Sequence, residues 1–234
     1  MAAIDDSPRV RTVSPAFSAQ QPVGERAGLA LKRAIDIALA ALMLLVLAPL
    51  FLLVALAVRL DSPGPALFRQ RRIGRNGREF TMLKFRSMTA NAATDVHRQF
   101  IAQLAEVNQR DAPDEPGALL KLTNDARVTR VGAFIRATSI DEWPQFLNVL
   151  AGQMSIVGPR PAVPYELEFY RPEHSQRFEV RPGLTGLWQV SGRGHLGLYD
   201  MLDLDVEYVR CRNLSYDLRL ALRTPRALLK AETA

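Results

Sequence analysis

The longest hydrophobic stretch of the chain predicts a helix embedded in a membrane. Residues 37–58 are 22 consecutive positions without a charge or a hydroxyl group, IALAALMLLVLAPLFLLVALAV. At 1.5 Å per residue such a helix extends about 33 Å, close to the thickness of a bilayer's hydrocarbon core. Pro49 lies near the middle and removes one backbone hydrogen bond, so we expect the helix to bend or break there.

The charges on either side of this stretch leave its topology open. Three basic residues precede it within 26–33, and six follow it within 59–78. Basic flanks are typical of the cytoplasmic side of a membrane, and here both flanks are basic. A re-entrant helix that breaks at Pro49 and returns to the same side explains this pattern. A kinked helix that spans the membrane, with its C-terminal flank inside, is the alternative.

Shorter patterns predict the elements that follow. Alternation in 79–86 predicts a strand that presents Lys84 and Arg86 on one face. Helical patterns cover residues 91–106, 165–178, 202–209 and 214–229. The last of these combines leucines with basic residues, which suits an amphipathic interfacial helix on an anionic bilayer. These patterns predict an α+β fold that is mainly helical, with a small sheet.

Two loops stand out by composition. Residues 111–117 form an acidic, proline-containing segment that is either a linker or a mobile lid. Residues 181–193 place glycine, proline and serine around a short apolar strand containing Trp188 and Gln189. Such a loop lets the backbone approach a ligand closely, or it forms a tight hairpin.

Composition narrows the class of protein. The net charge of +6 and the pI near 9.9 favour anionic partners such as acidic lipids, phosphorylated substrates or nucleic acid. The single cysteine, Cys211, cannot form an internal disulfide and suits a reducing compartment. Three scattered histidines lack zinc-site spacing, and no phosphate-binding glycine loop of the Walker or GxGxxG type occurs.

The chain divides into three parts on this evidence. Residues 1–30 are polar and rich in turn-forming residues, which predicts a disordered N-terminal tail. Residues 31–60 form the membrane-inserted helix. Residues 61–234 are predicted to be a cytoplasmic domain that ends in the interfacial helix.

Candidate chemistry is concentrated in residues 138–161. Asp141 and Glu142 begin a predicted helix, and Arg160 follows between two prolines. Ser139 and Glu142 have the spacing of a capping box, and Pro144 is tolerated only in a first helical turn. The carboxylates are therefore predicted to lie at the positive end of a helix dipole, which favours their ionised forms and attracts phosphate.

Two interpretations of the acidic pair remain open at this point. An ionised aspartate beside an anion-binding helix end can act as a nucleophile or as a metal ligand. Acidic residues in a first turn also stabilise helices by up to about 1 kcal/mol with no further role.

Several motifs in a fixed order resemble those of bacterial sugar transferases that are monotopic phosphoglycosyl transferases. The resemblance covers residues 31–224. The motifs are Lys32-Arg33-Ala34-Ile35-Asp36, Lys84-Phe85-Arg86-Ser87-Met88, Asp125-Ala126-Arg127-Val128-Thr129, Ser139-Ile140-Asp141-Glu142, Asn148-Val149-Leu150, Gly158-Pro159-Arg160-Pro161, Arg181-Pro182-Gly183-Leu184-Thr185-Gly186, Gln189 and Gly192-Arg193.

The resemblance implies a reaction. A sugar 1-phosphate would pass from a UDP-sugar to polyprenyl (undecaprenyl) phosphate, with release of UMP, to initiate exopolysaccharide or other glycan assembly. Asp141 would attack the β-phosphate and form a covalent phosphosugar intermediate, and Glu142 would assist by accepting a proton or by positioning. Mg²⁺ near Asp141 would offset the charge of the diphosphate.

The resemblance also implies roles for other residues and a location. Phosphate oxygens would be held by Lys84, Arg136 and Arg160; the nucleotide sugar would be bound by Arg181, Gln189 and Arg193. The membrane helix would break at Pro49, although this chain has Ala48 where the family has a serine. The protein would lie in the bacterial inner membrane with its catalytic domain on the cytoplasmic face, in contact with lipids and without a nucleic-acid partner.

Rival interpretations remain. The basic charge also suits a non-catalytic membrane-anchored adaptor that binds anionic lipid or nucleic acid, although an adaptor gives no reason for the Asp141-Glu142 pair. A transferase without a covalent intermediate is a second alternative, with sequential kinetics. The sequence leaves open whether the sugar is glucose, galactose or an N-acetylated sugar, which glycan pathway is served, and whether a homo-oligomer forms.

Overall fold

The computed structural model describes residues 23–89, 99, 101–102, 127–191 and 196–232. The predictions for most of the N-terminal tail, the 91–106 helix, the 111–117 loop and Arg193 lie outside the described residues. The helices are α1 (Val23–Asp61), α2 (Arg130–Ala137), α3 (Gln145–Leu150), α4 (Leu187–Ser191), α5 (Leu198–Cys211) and α6 (Leu214–Glu232). The strands are β1 (Leu67–Ile73), β2 (Glu79–Phe85), β3 (Ser155–Val157) and β4 (Gly183–Thr185).

Helix α1 is longer than the apolar stretch and continues through Pro49. The break predicted at this proline is therefore not confirmed. A helix can keep its other hydrogen bonds around one proline, and long apolar helices often do so. By length and composition α1 could cross a membrane. Its large apolar side chains are widely exposed, as Leu45 (76 %), Leu52 (74 %) and Leu60 (78 %) illustrate.

One side of α1 is nevertheless buried against the rest of the protein. Ala40 packs with Met82 and Val149, whereas Val58 packs with Phe85 and Ile135. Residues near both ends of the apolar stretch thus contact one folded unit.

Hydrogen bonds attach both ends of the apolar stretch to the same unit. Near its start, the Asp36 carboxylate accepts from Ser155 Oγ at 2.8 Å and from the Ile156 N–H at 3.1 Å. After its end, the Asp61 carboxylate accepts from the Val131 N–H at 2.9 Å. A hydrogen bond from the Thr129 side chain, followed by the one from Val131, lowers the pKa of Asp61.

Two separate two-stranded sheets accompany the helices. Strands β1 and β2 form an antiparallel hairpin in which Leu67 faces Phe85, so the strand predicted at 79–86 is confirmed over Glu79–Phe85. The buried Arg86 lies beyond this strand and donates to the Ser62 carbonyl at 2.6 Å. Arg86 therefore binds the backbone of the segment after α1, and it does not lie on one strand face with Lys84 as predicted.

Strands β3 and β4 pair in parallel, with Ser155 opposite Gly183. The strand predicted around Trp188 and Gln189 is wrong, because both residues lie on the short helix α4. Gly183–Thr185 forms the strand instead, since its partner β3 comes from a distant part of the chain.

Two 3₁₀ helices replace the single helix predicted over 165–178. They cover Pro164–Phe169 and Pro172–Glu179. Each has a proline at its start, and Pro172 cannot donate the backbone hydrogen bond that a continuous helix needs. The two C-terminal helices are confirmed as α5 and α6. The structure is mostly helical with small sheets, as the patterns predicted.

Candidate active site

The two adjacent carboxylates lie on a short 3₁₀ turn, Ile140–Glu142, and not on an α-helix. Ser139 before the turn has φ 56° and makes no side-chain capping bond, so the predicted capping box is wrong. A three-residue turn has no appreciable macrodipole, and the dipole argument for ionisation fails with it. The α-helix begins later, after Pro144, as α3.

Glu142 is held by a residue from another element. Its Oε1 accepts from Lys84 Nζ at 2.9 Å, and this ion pair is partly shielded from water, with 21 % of the lysine side chain and 33 % of the glutamate side chain exposed. The pairing explains why Glu142 does not reach back to Ser139. A strand far away in sequence therefore fixes one carboxylate of the pair.

This ion pair lies in an open cleft of about 270 Å³, a volume that includes its solvent-open part. The cleft is lined by Arg72, Met82, Lys84, Glu142, Gln145, Arg160, Pro161, Gly183, Leu184 and Gln189. Four residues singled out in the sequence are thus brought together: Lys84, Glu142, Arg160 and Gln189. Asp141 is 8 % exposed and, although next to Glu142 in the chain, is not among the lining residues.

Arg72 is a cleft residue that the sequence places only among the basic residues after the apolar stretch. It is 3 % exposed, and its Nη1 donates to the Pro161 carbonyl at 2.7 Å. Burial, and then the charge of Arg160, lowers its pKa to about 10. The residue pattern of β1 does not identify it, because Arg72 and the next residue, Ile73, are both buried whereas Arg69 and Arg71 are exposed.

Arg72 and Arg160 carry like charges and lie close together, which favours binding of an anion between them. The charge of Arg160 is partly balanced by Glu166, whose Oε1 lies 3.6 Å from Arg160 Nη1.

Buried hydrogen bonds hold the backbone of the Arg160 segment. Arg177 Nη2 donates to the Arg160 carbonyl at 2.6 Å and to Asp205 Oδ2 at 2.5 Å. Burial raises the pKa of Asp205 to about 6, although Arg177 opposes this shift. Together with the hydrogen bond from Arg72 to the Pro161 carbonyl, these contacts position Arg160 at the cleft.

Close backbone packing joins this segment to β4. The Gly158 N–H donates to the Thr185 carbonyl at 2.9 Å. A Cβ atom on Gly158 would lie 2.5 Å from the Arg181 carbonyl, and one on Gly183 would lie 2.1 Å from the Gly158 nitrogen. Glycine is therefore required at both positions for the two segments to meet beside the cleft.

Two other predicted residues are not brought to the cleft. Arg136 is exposed on α2 and does not line it. Arg181 Nε donates to the Gly152 carbonyl at 2.9 Å, and its side chain lines a different cavity. Gln189, in contrast, donates through Nε2 to the Leu184 carbonyl, and its Oε1 is buried without a hydrogen-bond partner in the described part of the chain.

The acidic pair has the donor chemistry that Mg²⁺ uses, although the described residues contain no group of three metal-ligating side chains. Mg²⁺ prefers oxygen ligands and is commonly bound by one or two carboxylates together with substrate phosphates and water. Asp141 and Glu142 fit this mode, in which a dedicated protein cage is not needed.

Adjacent carboxylates, a lysine and two arginines, together with a long apolar helix, suit a membrane-associated protein with an anionic ligand. Residues 27–231 match the bacterial sugar transferase family. The chain belongs to this family, so the resemblance predicted from its motifs is confirmed and the protein is an enzyme of the sugar transferase class.

Individual relatives are similar over most of the chain. It is 41 % identical to exopolysaccharide production protein ExoY of Rhizobium meliloti over 206 residues, 88 % of this chain and 87 % of the relative. It is 43 % identical to UDP-glucose:undecaprenyl-phosphate glucose-1-phosphate transferase of Caulobacter vibrioides over 211 residues, 87 % of this chain and 71 % of the relative. It is 39 % identical to undecaprenyl-phosphate galactose phosphotransferase of Salmonella typhimurium over 215 residues, 92 % of this chain and 44 % of the relative.

Proposed function

We propose that the protein transfers a sugar 1-phosphate from a UDP-sugar to undecaprenyl phosphate and releases UMP. The observation that carries this proposal is the cleft in which Glu142, Lys84, Arg72 and Arg160 meet. Relatives named for this type of transfer with glucose or galactose support it. The names do not agree on one sugar, so the sugar is left to experiment.

The cleft provides cations for the two phosphates of a UDP-sugar. Arg72 and Arg160 come from different elements, and charged guanidinium groups bind phosphate oxygens through paired hydrogen bonds. Lys84 adds a third positive charge beside Glu142. The unpartnered Oε1 of Gln189 can accept a hydrogen bond from the nucleotide or the sugar.

Asp141 is the proposed nucleophile because the family motif implies this role and because it precedes the cleft residue Glu142, although its own side chain is buried and does not line the cleft. One carboxylate oxygen attacks the β-phosphorus, the bond from that phosphorus to the bridging oxygen breaks, and its electron pair leaves with UMP. A phosphate oxygen of undecaprenyl phosphate then attacks the same phosphorus and releases the carboxylate. Glu142, held by Lys84, orients the reacting groups. Asp141 and Glu142 would hold Mg²⁺, which would stabilise the negative charge of the diphosphate.

We further propose that the membrane helix is re-entrant and that the domain lies on the cytoplasmic face of the inner membrane. Asp36 and Asp61, on the two sides of the apolar stretch, are both hydrogen-bonded to the same folded unit. A helix that crossed the bilayer would put these two residues on opposite sides. Because one unit bonds both, the contacts favour a path with both ends on one side; such a path needs a bend within α1, which in this structure is one helix that continues through Pro49.

The first experiment is an assay of UMP release from a panel of UDP-sugars, with undecaprenyl phosphate and Mg²⁺. We expect release with one sugar, and a loss of more than about a thousandfold in Asp141→Asn, because the nucleophile is removed. Glu173→Gln, a change at an exposed carboxylate, is the matched control and should keep full activity. Folded protein that releases no UMP from any sugar would favour the adaptor alternative.

Trapping the intermediate tests the covalent step separately. Protein incubated with a radiolabelled UDP-sugar alone should retain label after denaturation, and Asp141→Asn should not. Two-substrate kinetics should be ping-pong. Sequential kinetics with no retained label would support direct transfer instead.

Topology can be tested by cysteine labelling in a Cys211→Ser background, because Cys211 is exposed and would react. Leu31→Cys and Leu60→Cys are suitable sites, since both leucines are exposed near the two ends of the apolar stretch. In sealed inverted vesicles both should react with an impermeant reagent. Labelling from opposite sides would refute the re-entrant path.

A further inference from the structure

A second cavity lies beside the N-terminal part of α1, away from the cleft. It has a volume of about 1220 Å³, including its solvent-open part, and is lined by α1 residues within 28–36, the 179–181 segment and the junction between α5 and α6. Among the described residues, those that line the cleft and those that line this cavity have no member in common. The basic cavity, as we call it, is therefore a separate site.

Positive side chains dominate its lining. The basic residues are Lys32, Arg33, Arg75, Arg181, Arg210 and Arg212, and the acidic ones are Asp36, Glu179 and Asp217. Lys32 Nζ lies 2.5 Å from Asp217 and 4.0 Å from Asp36, so two of the three carboxylates already face one lysine. The lining as a whole has an excess of positive charge.

The arginines are held close together by neutral acceptors. Arg75 Nε donates to the Glu179 carbonyl at 3.1 Å, and Arg181 Nε to the Gly152 carbonyl at 2.9 Å. Burial, and then the charges of Arg181 and Arg212, lowers the pKa of Arg75. Arg33 Nη1 is buried and has no hydrogen-bond partner among the described residues. A bound anion would relieve this repulsion and satisfy the buried donor.

Apolar surfaces border the cavity on two sides. Leu214 is part of its lining and begins α6, where Leu214, Leu218 and Leu222 are exposed at intervals of four residues, along one side of the helix. On α1, the exposed Leu31 and Ile37 flank the lining residues Lys32 and Arg33. A site for a soluble anion would not need such a border, whereas a lipid has acyl chains that can cover it.

We propose that the basic cavity binds the phosphodiester headgroup of an anionic membrane lipid. The phosphate lies among the arginines, and the acyl chains run along the exposed leucines of α1 and α6. This proposal does not depend on the reaction assigned to the cleft.

Native mass spectrometry of the purified full chain in detergent tests the proposal by titration with phosphatidylglycerol or phosphatidylcholine. We expect one phosphatidylglycerol to bind with a clear preference, and Arg75→Gln/Arg212→Gln to weaken it roughly tenfold or more. Arg69→Gln/Arg78→Gln removes the same charge from exposed positions outside the cavity and should retain the lipid. Circular dichroism checks folding. If the double variant does not fold, Arg75→Gln alone replaces it, with a smaller expected loss.

Three results would overturn the assignment. Equal retention of phosphatidylglycerol by the cavity variant and the wild type would show that the arginines do not form the site. Equal weakening in the cavity variant and the control would indicate general surface charge. Displacement of the lipid by glycerol 1-phosphate at equal concentration would show that the cavity binds a soluble phosphate, and failure of that displacement supports a lipid.

Discussion

The cleft and the basic cavity both contain arginines and both pair a carboxylate with a lysine, but the cleft glutamate also follows a second carboxylate in the chain. In the cleft, Glu142 pairs with Lys84 beside Arg72 and Arg160, and Asp141 is its neighbour in the chain. In the cavity, Asp36 and Asp217 face Lys32. Positive charge by itself indicates an anionic ligand in both places. We assign chemistry to the cleft, and not to the cavity, because Glu142 lines it and forms an acidic pair with Asp141.

Among the substitutions that test the contrast between the cleft and the basic cavity, loss of Arg72 should have the largest effect on stability and activity. Arg72→Met leaves the buried Pro161 carbonyl without its donor, so we expect the free energy of unfolding to fall by about 2–3 kcal/mol. UMP release should fall about a hundredfold or more, because a phosphate ligand is lost as well. Urea unfolding and the UMP assay measure the two effects.

A neighbour on the same strand serves as the control for Arg72. Arg71 is paired with Glu79, but its side chain is 71 % exposed. Arg71→Gln should change stability by less than about 0.5 kcal/mol and leave activity intact. Normal turnover in folded Arg72→Met would remove the phosphate-binding role that we assign to Arg72.

Lys84→Met should have the next largest effect, a loss of about 10- to 100-fold in kcat/KM. The methionine keeps the apolar stem but removes both the charge that faces the substrate and the partner of Glu142. A double-mutant cycle with Glu142→Gln should give a coupling energy of about 0.5–3 kcal/mol. Strictly additive losses would mean that the two residues act independently.

The Asp205–Arg177 pair should make stability depend on pH. The pKa of Asp205 is raised by burial from 3.8 to about 6, so its contribution is complete below pH 3.8 and is lost as the pH rises through 6. Relative to Asp205→Asn, the wild type should therefore lose on the order of 2–3 kcal/mol between pH 4 and 7. Urea titrations of both proteins across this range measure it, and a difference that does not vary with pH would contradict the shifted pKa.

The smallest change is expected from a carboxylate at the basic cavity. Asp36→Asn keeps one of the two oxygens that accept from Ser155 and Ile156, replaces the other with an NH₂ donor, and loses the charge near Lys32. We expect a loss of about 1 kcal/mol in the free energy of unfolding and little change in kcat. A large fall in kcat, with stability unchanged, would connect the cavity directly to the reaction and break the contrast between the two sites.

Local patterns predicted much of the architecture because the type of an element depends largely on residues that are close together in the chain. The apolar stretch, the alternation of β2 and the amphipathic C-terminal helices all correspond to elements in the structure. Predictions failed where a distant segment supplied the partner. The distant strand β3 pairs with Gly183–Thr185 and not with the segment that contains Trp188 and Gln189, and Glu142 bonds Lys84 in place of Ser139.

By itself, the sequence determined the family, the apolar helix and the concentration of charge near the acidic pair, since these depend on residue order and composition. Only the tertiary structure decided which charges meet. It buried Arg72 beside Arg160, moved Arg181 to another cavity and joined both ends of the apolar stretch to one unit. The reason is physical. Charges interact through space over a few ångströms, and burial strengthens that interaction. The order of residues along the chain specifies neither the distance between two charges nor their burial.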